Sequence, residues 1–289
     1  MWQKFAAPAL LLVVASLAPA QKPSTETPTA SAIPELNTIL METTFRIQGP
    51  KKGQPNSIAY GTCFFVGKPV PADPTRAYYV MVTAAHVLDD IEGDIAIVLV
   101  RKPRPEGGYT GIPFALQIRS DGKDIFARHK TADVAVMYAR MPNGMDITLL
   151  GLNLFGDDAT LKRFEIHPGD ELTTLGFPLY VSSDFGFPIL RSGKIVSYPI
   201  IPTKTYGNIL FDFNVFPGNS GAPVYFISSN RFYDNQTHLG EIIQFVVGLV
   251  TAQVGSMAHN NQMINLASVV PASFIRETLD MLPADSPYK

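Results

Sequence analysis

Twelve short stretches of β-forming residues, parted by turn-rich pieces, constrain this chain more than any other feature. They fall into two sets of six. The first covers residues 43–47, 58–66, 78–83, 95–101, 114–118 and 134–139. The second covers 171–176, 189–197, 209–213, 223–227, 242–251 and 263–266. Turn-rich segments such as 50–56 and 104–108 lie between strands, and a looser stretch, 142–164, divides the sets. Many short strands with turn signals between them predict a barrel or a sandwich. The one good amphipathic helical pattern comes at the end, where Ile275, Leu279 and Leu282 follow i, i+4, i+7 spacing after Pro271. The expected class is all-β, in two halves, with a terminal helix.

The first 39 residues stand apart from this pattern. Residues 1–20 carry Lys4, an apolar run and Ala18-Pro19-Ala20, the features of a secretory signal peptide cut after Ala20. The run is too short for a comfortable membrane span. Residues 21–39 open on a Ser/Thr/Pro-rich piece with little to bury and are expected to form a flexible leader. The expectation is export to the periplasm or the extracellular space, with no stable membrane association once the signal is removed.

Composition then excludes several functions. A formal charge of −2 on 289 residues argues against nucleic-acid binding, which shows as a basic stripe. One cysteine makes no internal disulfide, zinc ribbon or CxxC redox site. Cys63 lies in the apolar run 62–65, so it is expected to be a buried, inert thiol. His167, His238 and His259 have no ligand-like spacing, and neither a metal nor a cofactor is expected. His129, four residues before Asp133, is the best rival base, but in the polar stretch Arg128-His129-Lys130 it reads as a solvated surface histidine.

Three short motifs carry chemistry. Gly218-Asn219-Ser220-Gly221, before an apolar strand, suits a nucleophile on a tight turn whose amides can face a substrate carbonyl. Gly-Asn-Ser-Gly is also a good hairpin turn. Thr83-Ala84-Ala85-His86 sets a histidine at the end of a strand, where it could act as a general base. Asp133-Val134-Ala135 opens another strand with a carboxylate, which would need a partner if buried and could equally cap a turn. Their chain order is His, Asp, Ser, as in chymotrypsin, and it differs from that of subtilisin and the α/β-hydrolases.

These three stretches resemble the signatures of the chymotrypsin-like (trypsin-fold) serine peptidases, and are most similar to the bacterial exported, HtrA-related type. Gly61-Thr62-Cys63 and the run Arg191-Ser192-Gly193 extend the likeness over roughly residues 40 to 282. The resemblance implies two packed six-stranded antiparallel β-barrels, at 40–150 and 151–289, with the site in the cleft between them. It implies Ser220 as nucleophile, His86 as base, Asp133 as orienting carboxylate, and the amides of Gly218 and Ser220 as oxyanion hole. It also implies a substrate side-chain pocket lined by Asn214, Val215, Phe216 and part of 250–254, Thr251 included. Asn214 is neutral, which favours apolar or small substrate side chains over Arg or Lys. Asn219 replaces the aspartate that trypsin pairs with a freed N-terminus, so the site is expected to form without cleavage of that kind. The HtrA proteins carry a PDZ domain after the protease, and only about seven residues follow the terminal helix here.

The expected function is serine endopeptidase activity on polypeptides. Two alternatives come from the same residues: a catalytically silent trypsin-fold module that binds protein partners, and an esterase using the same three groups.

Overall fold

The computed structural model describes residues 35–288 except 146, 184–185, 255–256, 259–261 and 264–265, and the side chains of 252–265 lie outside the description. The expected signal peptide and most of the expected leader therefore lie outside the described residues. The protein is all-β with a C-terminal helix.

The N-terminal half begins with helix α1 (Leu36–Thr43) and continues through β1 (Thr44–Pro50), β2 (Ile58–Val70) and β3 (Asp73–Thr83). Helix α2 (Ala85–Asp89) precedes β4 (Ile95–Pro103) and β5 (Tyr109–Gln117). The short β6 (Arg119–Ser120) and β7 (Lys123–Asp124) form a ribbon of their own, before β8 (Ala127–Arg128), β9 (Ala135–Tyr138) and β10 (Leu150–Gly151). The main sheet has eight strands in the path β5-β4-β1-β2-β3-β9-β8, with β10 paired in parallel to β2. Six of these are the long strands expected from the sequence; the two-residue β8 and β10 are additions at the margins.

The C-terminal half contains α3 (Asp158–Arg163), β11 (Glu171–Gly176), β12 (Ile189–Ile195), α4 (Thr203–Tyr206), β13 (Ile209–Asp212), β14 (Pro223–Tyr233), β15 (Gln236–Val254), the short β16 (Met257–Ala258) and β17 (Gln262–Met263), β18 (Leu266–Pro271) and α5 (Ala272–Asp280). Six of these strands close a barrel in the order β11-β12-β13-β18-β15-β14. Closure removes free strand edges.

Three boundaries differ from those expected. Residues 36–39, assigned to the leader, begin α1, whose Leu36 and Leu40 are fully buried in the first core. Their i, i+4 spacing gives a short apolar stripe that packing then holds. The division at 150/151 falls inside β10, because Leu150 and Gly151 pair with Val66 and Gly67. The last barrel strand runs over Leu266–Pro271 instead of 263–266, since Ala267, Val269 and Pro271 must all reach the barrel ladder.

Two cores result. The first gathers Phe45, Phe64, Phe65, Met81, Val82 and Val136; the second gathers Leu172, Phe211, Phe213, Val224, Phe245 and Val250. Although α5 follows the second barrel in sequence, its Ile275 and Leu279 belong to the first core. Arg101 is buried there too. It donates to the carbonyls of Met41, Glu42 and Thr44 at 2.7–3.1 Å, where the end of α1 leaves acceptors exposed, and lies over the rings of Phe45 and Phe187. Cys63 is fully buried, and burial pushes its thiol pKa upward, as expected for an inert group.

The second barrel is closely packed at Gly193 on β12. A Cβ there would lie 1.9 Å from the carbonyl oxygen of Asp212 and 2.9 Å from the Phe211 ring. Gly193→Ala is expected to destabilise the protein by roughly 3 kcal/mol, lowering Tm by about 5–10 °C. A thermal melt with an unchanged midpoint would contradict this packing.

Candidate active site

Strand pairing brings the motifs together. In the antiparallel pair β3–β9, Thr83 faces Ala135 and Val82 faces Val136. The chain leaving β3 and the chain entering β9 therefore meet at one end of the ladder, which sets His86 beside Asp133. His86 sits on the single-turn helix α2, with Ala84, Ala85, Val87 and Leu88 buried around it. Nothing local in the sequence joins residues 86 and 133; the register does.

The contact is double. His86 Nδ1 lies 2.5 Å from Asp133 Oδ2, and the His86 backbone N–H donates to Asp133 Oδ1 at 2.9 Å. Each carboxylate oxygen thus contacts His86, and the Ala85 backbone adds a further bond to the group. Burial would by itself lower the His86 pKa, but the hydrogen bond and charge of Asp133, with Asp90 and Asp89 behind, raise it above its ordinary 6.5. Burial would raise Asp133, and the same bonds with His86 bring it below its ordinary 3.8. His129 is not the solvated residue expected. Its Nδ1 accepts from the backbone of Ala132 at 2.9 Å, its ring packs edge-on to Phe274, and Glu277 stands 3.4 Å from Nε2. It fixes the turn that presents Asp133, because the 129–132 backbone needs an acceptor there.

Ser220 arrives from the second barrel, three residues before β14. Its loop is bound on both sides. Gly221 N–H donates to Val250 O at 2.7 Å, while Ser220 O accepts from Thr62 N–H of β2 at 2.8 Å. Asn219 is buried, and its Oδ1 accepts from the Phe216 N–H at 3.1 Å, so this side chain closes its own turn. Gly218 has φ +98°, and a Cβ would come within 2.2 Å of the Phe177 carbonyl oxygen. Only glycine fits there. The N–H groups of Gly218 and Ser220 meet no protein acceptor among the described residues.

His86, Gly218 and Ser220 line one cavity of about 160 Å³ together with Tyr60, Pro217, Lys51 and Asp90. The Ser220 hydroxyl donates to Thr251 O at 3.1 Å and makes no hydrogen bond to His86. The expected pocket residues are placed next to this turn. Val215 and Thr251 are buried, whereas Asn214 and Phe216 are exposed. Arg191 donates to Asn214 O at 2.9 Å and lies over the rings of Phe213 and Phe216. The side chains of residues 252–254 lie outside the described residues.

Thr62 is a site residue that the motifs did not reveal. It is fully buried, and besides its bond to Ser220 O its Oγ1 donates to Gly218 O at 2.6 Å. Its carbonyl accepts from Thr83 Oγ1 at 2.7 Å. One residue thus ties the strand before His86 to the turn carrying Ser220. Among the described residues, no group of three or more His, Cys, Asp or Glu is placed to hold a metal ion. No helix there is long and apolar enough to cross a membrane.

No family model matches the chain, and no curated protein matches it. Among solved structures, the active form of the Rv3671c protease from M. tuberculosis aligns over 93% of this chain and 97% of its own, at 16% identity and a TM-score of 0.46.

Proposed function

We propose that the protein is a serine endopeptidase of the chymotrypsin-like type, hydrolysing polypeptides through Ser220, His86 and Asp133. The double bond-pair between Asp133 and His86 carries this reading, since it fixes both the ring orientation and the Nδ1–H tautomer. With Nδ1 protonated, Nε2 keeps its lone pair as a base. The Ser220 Oγ attacks the scissile carbonyl as Nε2 takes its proton. The oxyanion forms near the free N–H groups of Gly218 and Ser220, each worth about 10²–10³ in rate. The imidazolium then protonates the leaving amine, and water repeats the sequence on the acyl-enzyme. When Ser220 turns towards His86, it releases Thr251 O, which becomes an acceptor for a substrate N–H.

The HtrA-related subtype rests on the sequence motifs alone. Export is proposed with it, on the strength of residues 1–20.

One observation favours a silent binding module instead: the Ser220 hydroxyl is held by Thr251. A rotation between staggered wells about χ1 is all that reorientation needs. A fluorophosphonate probe decides between the readings. The mature protein should take one label, on Ser220; correctly folded protein that takes none would overturn the peptidase reading. A peptide-library digest then separates peptidase from esterase. The pH profile gives a further check. The base must be neutral, and Asp133 raises its pKa, so kcat/KM should fall as pH drops through a midpoint above 6.5. A midpoint below that value would mean that Asp133 is not acting on the base.

A further inference from the structure

The direction of the Gly218 N–H depends on a loop outside the three motifs. The Pro217 carbonyl accepts from the Leu179 N–H at 2.8 Å, and the Gly218 carbonyl accepts from Thr62 Oγ1 at 2.6 Å. In a trans peptide the N–H points opposite to the C=O. Holding the Pro217 carbonyl on the Leu179 side therefore turns the Gly218 N–H to the other side, where no described protein group accepts it.

Leu179 sits in backbone that its own sequence does not favour. Leu179 has φ +50° and Tyr180 φ +64°, two successive non-glycine residues in the left-handed region. The Leu179 side chain is largely exposed and supplies little anchorage. Anchorage comes from Tyr180. Its ring stacks on Tyr60 of β2 with centroids 3.5 Å apart and planes at 29°, and the Arg46 guanidinium lies 5.7 Å from its centroid. Tyr60 also abuts Gly218 directly, its ring 3.0 Å from where a Cβ would stand.

We infer that Tyr180 is a positioning residue for the acyl transfer: its stack on Tyr60 keeps the Leu179 N–H on the Pro217 carbonyl, and so aims the Gly218 N–H. The inference rests on the peptidase reading above. Tyr180 does not line the cavity. It acts through Leu179, and the hydroxyl contributes little, being 3.4 Å from Ile58 O.

The test compares wild type, Y180F, Y180L and Y180A for turnover of a peptide substrate and for hydrogen exchange of the Leu179 amide. Y180F keeps the stack and should match wild type in both. Y180A should lose on the order of 10²-fold in kcat, the worth of one oxyanion donor, with KM little changed and faster Leu179 exchange. Y180L serves the same purpose should Y180A not fold. Protected β11 amides in every variant report an intact barrel, so a general loss of structure would show itself there. Equal kcat in active wild type and a folded variant lacking the stack overturns the role of Tyr180 alone. A wild type that neither turns over peptide nor takes the fluorophosphonate label overturns the peptidase reading, and this role with it.

Discussion

Ser220→Ala is expected to abolish fluorophosphonate labelling and to cut peptide hydrolysis by on the order of 10⁵–10⁶ in kcat. Fold and stability should barely respond. The hydroxyl makes one hydrogen bond, to Thr251 O, and such a bond is worth about 1 kcal/mol. The loop keeps its backbone anchors to Thr62 and Val250 in the variant. The Tm of S220A should therefore stay close to that of wild type while activity disappears. Residual turnover near the wild-type level would assign catalysis to another group or to a contaminant.

Asp133→Asn has the second-largest expected effect, a fall on the order of 10⁴ in kcat. The geometry gives the reason. Oδ1 accepts the His86 backbone N–H, so an asparagine oxygen stays at that position. Its NH₂ group then occupies the place of Oδ2, facing Nδ1. Nδ1 must accept instead of donate, the proton moves to Nε2, and the base loses the lone pair that the Ser220 proton needs. Imidazole ¹⁵N shifts would read this tautomer directly. Loss of the carboxylate charge should also move the pH midpoint of the residual activity downward, because Asp133 no longer raises the His86 pKa. An N-variant that keeps the wild-type tautomer and rate would remove Asp133 from the mechanism.

The parts of the molecule legible in the sequence are those with a local signature. Strands such as Glu171–Gly176 and Ile189–Ile195 announce themselves through β-branched and apolar runs bounded by turns. The three chemical motifs were legible because each adjoins the end of a strand, where a side chain is held yet reachable. Helix α1 was not legible. Its eight residues follow a Ser/Thr/Pro-rich piece, and only the burial of Leu36 and Leu40 makes it helical. His129 was misjudged for a related reason: its charged neighbours suggest solvent, but Phe274, 145 positions later, covers its ring. Thr62 reads in the sequence only as part of a Gly-rich apolar strand, and Tyr180 carries no local pattern. Their roles exist only once β2 and the loops of the second barrel are side by side.

The placement of α5 bears on how the protein can be made. Ile275, Leu279 and Leu282 complete the first core, although they are among the last residues of the chain. Lys68, near the end of β2, donates to the carbonyls of Leu279, Leu282 and Pro283, and Tyr138 donates to Pro283. During synthesis the N-terminal half emerges first, with an apolar face that has no cover until residues 272–282 arrive. Contacts spanning more than 200 residues are entropically expensive and form late. The half that carries His86 and Asp133 therefore completes its core only after residues 272–282, far along the chain, have been made.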